Sequence, residues 1–361
     1  MHTIPNLYDA GMTKLRRFSL TAYEAPLCET FAEIPEPRGS EVLVRIERCG
    51  VCHSDLHMQD GFFALGGDKR LDVRAGRKLP FTLGHEIAGV IERTGPDAGA
   101  KIGAKVAVYP WIGCGACPAC RAEEENLCTA PRHLGISADG GFASHVLVPH
   151  PRYLIDYAPL SPSFAGTLMC SGLTAYAALK RLSALAARGP VLLVGLGGVG
   201  MMGLSVARAL FKQAPIVADI NPGKREAALA AGAAAAFDPA DADARKAIMK
   251  ATGGIYAACD FVGSERSLQF TTGVLVRGGK VVVTGLLGGA FTTPAAMFAL
   301  KAMTIEGILT GTLSEAREVV ALARAGKITP LPISERPLSA AQSALDDLRA
   351  GRVVGRIVLT V

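Results

Sequence analysis

Four of the nine cysteines stand in one short run, GCGACPACRAEEENLC, from Gly113 to Cys128. Cys114, Cys117 and Cys120 are spaced C-x2-C-x2-C, and Cys128 follows after seven residues. Gly115 and Pro118 favour the turns that let closely spaced thiolates converge on one centre. Four soft sulfur ligands complete a tetrahedral zinc shell and leave no place for a substrate, so the expectation is a structural metal. An iron–sulfur cluster uses comparably dense spacing, and disulfides suit small secreted domains. Structural zinc is preferred over both.

A second set of soft ligands is scattered. CGVCHSDLH covers Cys49 to His57, LGHEIAGV covers Leu83 to Val90, and LMCSGLTAY covers Leu168 to Tyr176. Taken singly the signals are weak, because a cysteine in an apolar segment such as Cys170 is more often packed core than ligand. His85 alone reads equally well as a hydrogen-bonded loop residue. Together Cys52, His85 and Cys170 make an S/N/S set, and three protein ligands leave a fourth zinc position open. That is the arrangement a Lewis-acid catalyst needs.

A third motif lies further on. In VLLVGLGGVGMMGLSVARALF, a short apolar strand meets a glycine turn and then a helical pattern. Gly195, Gly197 and Gly200 give G-x-G-x-x-G, with Gly198 and Val199 inside it. Such a turn lets backbone approach a pyrophosphate closely and aims a helix N-terminus at it. The strand PIVADI brings an acid, Asp219, nineteen residues past Gly200, about where a carboxylate holds ribose hydroxyls. A carboxylate there repels a 2′-phosphate, which predicts NAD over NADP. Lys224 and Arg225 lie close enough to soften that preference.

The elements that must position these groups fall into two patterns. EVLVRIE, IAGVIERTG, AKVAVYP and FASHVLVP are short strands between glycine-rich turns, which predicts an antiparallel, partly barrel-like domain. From about Pro190 strands alternate with helix-like runs, near Ala257–Val262, Lys280–Gly285 and Thr304–Leu309, which predicts a doubly wound parallel α/β sheet. The alanine-rich LAAGAAAAF is expected to be a helix end and a tight loop. The first pattern resumes after about Gly311. The catalytic domain is thus expected over residues 1–165 and 311–361, with the four-cysteine lobe at 113–128, and the dinucleotide-binding domain over 166–310. The cleft between them is the expected site of metal, cofactor and substrate.

A chain of 361 residues, half of them hydrophobic, is long enough for about two domains. Charged residues are 19% and scattered, and the net charge of +6 contains no Lys/Arg block of the nucleic-acid or membrane-surface kind. No stretch reaches the ~18 apolar residues of a membrane span, and no secretory pattern opens the chain. The expected location is the cytoplasm, where clustered cysteines mean metal or catalysis.

The motif set, GHE at Gly84–Glu86, CGVCHSDLH, the four-cysteine lobe and GLGGVG, resembles the zinc-dependent medium-chain alcohol dehydrogenases, in order and spacing over nearly the whole chain. The resemblance implies a Rossmann domain inserted in a GroES-like catalytic domain, two Zn2+ per chain and NAD. It implies that Cys52, His85 and Cys170 hold catalytic zinc, and that Asp55 accepts a hydrogen bond from the ligand histidine. Glu86 would enter the metal shell during ligand exchange, a role weighed against that of a plain buried acid. Ser54 would take the alcohol proton and His57 pass it to solvent. A hydroxyl both accepts and donates, and histidine titrates near neutral pH. His53 resembles a pyrophosphate contact, Thr174 a residue packed on the nicotinamide, and Arg356 a second pyrophosphate contact. Phe63 and Trp111 align with positions lining the alcohol pocket, where aromatic walls favour apolar substrates. Core packing explains each of these two equally well. The implied activity is hydride transfer between NAD(H) and an alcohol/aldehyde or ketone pair, with apolar primary or secondary alcohols expected, since the small Ser54 leaves room for secondary or bulky primary alcohols. Aldehyde or ketone reduction, polyol oxidation and a non-catalytic NAD-binding role are the alternatives, and a homodimer or homotetramer is the implied assembly.

Two regions depart from compact members of that family. Residues 64–79 form an insertion, read as a surface loop in preference to a rim of the cleft or a contact with a neighbouring subunit, and residues 1–11 form an extension. Cys28, Cys49 and Cys259 have no motif partner and are expected as small core residues.

Overall fold

The computed structural model describes residues 14–361, so the N-terminal extension lies outside the described residues. Two sheets organise the chain. In the first, the order is Leu154–Asp156, Lys105–Val108, Glu86–Thr94, Val42–Gly50, Arg356–Thr360 and Ile333–Pro337, with His145–Val148 also paired to Val42–Gly50. Pairing is antiparallel except between the last two strands. Alternating apolar runs such as VLVRI put Val42, Val44 and Ile46 into the core, as a half-buried strand requires. The C-terminal strand Arg356–Thr360 pairs with Cys49 and Gly50, so chain end and metal-ligand segment share one sheet.

The second sheet has six parallel strands in the spatial order Ala235–Phe237, Ile216–Ala218, Leu192–Val194, Ile255–Asp260, Leu275–Val283 and Thr304–Gly307. Numbered along the chain, that is third, second, first, fourth, fifth, sixth, the doubly wound order in which a dinucleotide crosses the reversal point beside the first strand. Ile248, Phe270 and Val274 cover one face of this sheet. The helix Gly198–Leu210 buries Met202, Leu204 and Val206 in the other, larger core. The doubly wound sheet and the mainly antiparallel sheet expected from the sequence are both present.

Three local expectations change. The alanine-rich run is more than a helix end: after the helix Pro222–Ala230 and a left-handed turn at Gly232, Ala235–Phe237 forms the edge strand. Alanine has little strand propensity, so composition hides a strand that register alone makes. The insertion is not a bare loop, because Phe62–Gly66 and Lys69–Asp72 form a hairpin. The hairpin lies against the Gly288–Ala290 turn so closely that a Cβ on Gly66 would meet the Ala290 nitrogen at 2.6 Å. Cys49 and Cys259 are buried as expected, but Cys28 is exposed on a strand of the small N-terminal sheet.

Candidate active site

The scattered soft ligands meet. Cys52 caps the helix His53–Asp60, His85 precedes the strand Glu86–Thr94, and Cys170 lies in a π-helical turn, Leu168–Gly172, that interrupts the helical run Pro162–Lys180. A π turn is a common device for redirecting a side chain at a functional site. The sulfurs of Cys52 and Cys170 are 3.9 Å apart, and the three ligand atoms lie within 4.8 Å of one another. Two sulfurs on one tetrahedral zinc at ~2.3 Å stand about 3.8 Å apart. His85 is fully buried, and its Nε2 has no hydrogen-bond partner. An orphaned imidazole nitrogen facing two thiols fits a metal. Hydrogen bonding from Cys170 and the nearby His85 and Arg356 hold the Cys52 thiol well below its ordinary range, while Cys170 is pushed up.

Asp55 shows why the ligands stand where they do. It is fully buried. One carboxylate oxygen accepts the Cys52 N–H at 2.9 Å, which caps the helix. The other accepts the Gly84 N–H at 3.1 Å and lies 3.4 Å from His85 Nδ1. One acid thus ties two ligand-bearing segments together. Ser54 Oγ lies 3.9 Å from the Cys52 sulfur. One turn along, the His57 ring packs on Phe63 with centroids 4.5 Å apart. Burial and the neighbouring His53 push the His57 pKa down against Asp60. Trp111 is buried and donates its indole N–H to the Met169 carbonyl at 3.0 Å, with its ring 5.5 Å from that of His85.

Glu86 and Arg356, read as independent residues in the sequence, form a buried ion pair. Gly50 makes room for it, since a Cβ there would come within 2.0 Å of Glu86 Oε2. That oxygen has no partner, and burial pushes the Glu86 carboxyl up to about 7 despite Arg356. Arg356 also abuts the glycine turn, because a Cβ on Gly198 would meet its Cδ at 2.7 Å. The pair therefore joins the metal ligands to the dinucleotide turn, a link no motif announces.

At that turn Gly195 has φ +89° and Gly200 packs so tightly that a Cβ would strike the Gly195 carbonyl oxygen at 1.7 Å. Gly197 caps the helix that begins at Gly198, and Val199 is partly buried in its first turn. Lys224 and Arg356 bring positive charge to this side of the site, and burial first, then these two cations, push the His53 pKa down, which keeps its ring neutral. Helix N-terminus and cations together fit an anionic diphosphate. Asp219 follows the strand Ile216–Ala218 and accepts the Leu196 N–H at 2.6 Å and the Asn221 N–H at 2.8 Å. Arg225 turns away, donating to the Asp219 carbonyl and pairing with Asp238. Thr174 is buried on the helix that follows Cys170.

The four-cysteine lobe also converges. Sulfur separations are 3.5 Å for Cys117–Cys120, 3.8 Å for Cys117–Cys128 and 4.0 Å for Cys114–Cys120, again near the tetrahedral value. Backbone N–H groups of Cys120 and Thr129 hold the Cys117 thiol down to about 6, and desolvation pushes Cys120 up to about 12. Sequence reading passed over His133, a buried histidine packed edge to face with Trp111 at 5.4 Å between ring centroids. A lone histidine in RHLGIS carries no signal of it.

A doubly wound dinucleotide sheet joined to an antiparallel domain with an open Cys/His/Cys group and a closed four-cysteine group defines a zinc-type dehydrogenase. The chain matches the alcohol dehydrogenase GroES-like domain over residues 38–158 and the zinc-binding dehydrogenase domain over 198–325. It is 39% identical to an NAD-dependent alcohol dehydrogenase of Sulfurisphaera tokodaii, over 96% of this chain and 99% of that one. Its fold superimposes on the alcohol dehydrogenase of Aeropyrum pernix with TM-score 0.86 at 30% identity, covering 96% and 100% of the two chains. The D-arabinose dehydrogenase of Sulfolobus solfataricus is similar at TM-score 0.83 and 30% identity, over 97% and 100%. The chain belongs to the zinc-dependent medium-chain alcohol dehydrogenase family.

Proposed function

We propose that the protein is an NAD-dependent, zinc-dependent oxidoreductase that interconverts an alcohol and its aldehyde or ketone. The observation that carries this reading is the convergence of Cys52, Cys170 and the orphaned His85 Nε2, joined through Glu86 and Arg356 to the glycine turn. When bound, zinc supplies Lewis acidity toward the alcohol oxygen and NAD accepts the hydride. Cys52, His85 and Cys170 hold the catalytic metal, and Cys114, Cys117, Cys120 and Cys128 the structural one. Asp55 fixes the His85 ring, and Glu86 is a reserve ligand whose unpartnered oxygen is the one that reaches.

Ser54, beside Cys52, takes the proton of the substrate hydroxyl, and His57 delivers it to solvent. Gly195, Gly197, Gly198, Val199 and Gly200 receive the cofactor diphosphate, with His53, Lys224 and Arg356 around it. Asp219 selects NAD through the ribose hydroxyls, and Thr174 backs the nicotinamide. Phe63 and Trp111 wall the alcohol, favouring apolar primary or secondary alcohols. We assign residues 1–165 and 311–361 to the catalytic domain and 166–310 to the cofactor domain. The likeness to a D-arabinose dehydrogenase keeps polyol oxidation as a second reading. A cytoplasmic homodimer or homotetramer accords with nine unpaired cysteines and with exposed Leu286, Leu287, Leu300 and Leu309 around the edge strand Thr304–Gly307. No helix among the described residues is long and apolar enough to cross a membrane.

Initial rates of NADH formation across primary, secondary, aromatic and polyhydric alcohols, repeated with NADP, test the reading. Turnover of a few alcohols with NAD alone is expected. Equal efficiency with NADP overturns the role of Asp219. No turnover of any alcohol, in protein holding zinc at both sites, overturns the reaction class.

A further inference from the structure

After the last parallel strand, Thr304–Gly307, the chain leaves the sheet through residues 308–311 and enters the helix Leu313–Arg324. Thr310 has φ +54°, a left-handed conformation that a β-branched residue adopts only at a cost in free energy. Such backbone persists where its surroundings hold it. Two side chains do so here. Asn126 donates an amide N–H to the Leu309 carbonyl at 2.7 Å, and the Tyr109 hydroxyl donates to the Gly311 carbonyl at 2.8 Å. Both donors are buried, and together they grip the residues on either side of Thr310.

Both grips trace back to the four-cysteine lobe. Asn126 lies on the turn Glu125–Leu127, two positions before Cys128. Its neighbour Glu125 accepts from Arg152 at 2.6 Å and from the Tyr153 hydroxyl at 3.4 Å. The Tyr153 ring stacks on Tyr109 with centroids 6.3 Å apart. Glu125 also backs the first glycine of the lobe, where a Cβ on Gly113 would meet Glu125 Cβ at 3.1 Å and the Cys120 sulfur at 2.4 Å. A loop that takes its shape from a metal therefore sets where Asn126 stands.

The gripped segment lies where a cofactor must pass. It follows the carboxyl end of the sixth strand, and doubly wound sheets bind dinucleotides outside their carboxyl ends. Asp219 follows the second strand, on the other half of the sheet. Gly311 packs on the helix Leu173–Lys180, which continues from the π turn bearing Cys170. A Cβ on Gly311 would meet Leu173 Cδ1 at 2.7 Å and Ala177 Cβ at 3.0 Å. Residues 308–311 thus border the half of the cleft next to the soft ligands, where the nicotinamide end of NAD belongs.

Resting on the NAD-dependent reading above, we propose that Asn126 is a positioning residue that couples the four-cysteine lobe to NAD(H) affinity. By holding the Leu309 carbonyl it presets the 308–311 backbone, so that cofactor binding does not have to order it. Lobe integrity and cofactor affinity then rise and fall together.

The test is the NADH dissociation constant of the zinc-loaded full-length enzyme, followed by the fluorescence of bound NADH, with KM for NAD and kcat measured on one alcohol. Asn126→Asp keeps the shape of the side chain but cannot donate. It and Asn126→Ala are expected to raise the NADH dissociation constant and KM for NAD about tenfold, while kcat falls by less than about threefold. Tyr109→Phe, which releases only the Gly311 carbonyl, is expected to raise the dissociation constant a few-fold. Cys117→Ser, measured below its melting transition, is expected to raise it about tenfold, and Cys117→Ser with Asn126→Ala no further, because both act by one route. Independent defects would instead multiply to about a hundredfold and overturn the coupling. Wild-type NADH affinity in the Asn126 variants, or a loss confined to kcat or stability, overturns the proposal and leaves the dehydrogenase reading standing. If Asn126→Ala does not fold, Asn126→Asp and its combination with Cys117→Ser decide. A wild type that binds no NADH overturns the underlying reading, and this proposal with it.

Discussion

The two thiol clusters reach similar sulfur separations by opposite means. Cys52 and Cys170 are 118 positions apart, and both are buried together with His85. Their spacing is set by the fold: a helix cap at Asp55, a strand start at His85 and a π turn at Cys170. The lobe at 113–128 draws all four cysteines from one largely exposed loop with two short helical turns, Pro118–Arg121 and Glu125–Leu127. There the sulfurs accept backbone N–H groups from Cys114, Ala116 and Ala130, so the loop is wound around its own ligands. A buried, fold-determined site is ready before its metal arrives. A loop with almost no apolar core depends on the metal for its shape.

The sharpest way to break that contrast is to remove one ligand from each site. Cys170→Ala is expected to abolish metal at the buried site and reduce alcohol oxidation by at least ~10³-fold, the scale of losing several kcal/mol of Lewis-acid stabilisation. The melting temperature should move little, because the surrounding apolar packing is untouched. Metal analysis with parallel kinetics and calorimetry checks this, and a large drop in melting temperature with modest kinetic loss would show that the buried metal is structural. Cys117→Ser is expected to do the reverse. The melting temperature falls by on the order of 10 °C as the lobe loses its metal, while folded enzyme keeps most of its kcat. Because bound thiolates must shed their protons, acid should strip the exposed lobe, and metal retention measured against pH follows this.

Much of this contrast was legible in the sequence, and the reason is locality. The lobe announces itself because its ligands and turn residues are contiguous. Cys52, His85 and Cys170 were legible only as three weak signals whose meaning came from their combination and from family resemblance. The strand–turn–helix around Gly195–Gly200 was clear because tight turns demand glycine. The Glu86–Arg356 pair joins positions 270 residues apart, and no period or motif encodes which acid meets which base. His133 was silent for the same reason, since its unpaired Nε2 is a property of what surrounds it. The hairpin at Phe62–Asp72 was hidden by polar and glycine-rich composition that reads as loop. The edge strand Ala235–Phe237 was hidden by alanine.

A smaller effect sharpens the same comparison, because it asks how far the buried site is served by exposed chemistry. His57 sits between the two regimes, its ring half covered by Phe63 of the hairpin. Cover disfavours the charged ring, so its pKa lies below the ordinary histidine value. A proton acceptor works only when unprotonated, so wild-type oxidation should hold its rate to a lower pH than an ordinary histidine would permit. His57→Ala is expected to keep both metals and lose about tenfold in kcat near neutral pH, with the loss shrinking as pH rises and hydroxide takes over the proton. Phe63→Ala uncovers the ring, so its pKa rises and the acid limb of the pH–rate profile moves to higher pH. Profiles of the three enzymes on one alcohol decide it. If the His57→Ala profile overlays that of the wild type, His57 has no part in the relay. If the limb stays fixed in Phe63→Ala, the hairpin does not tune it.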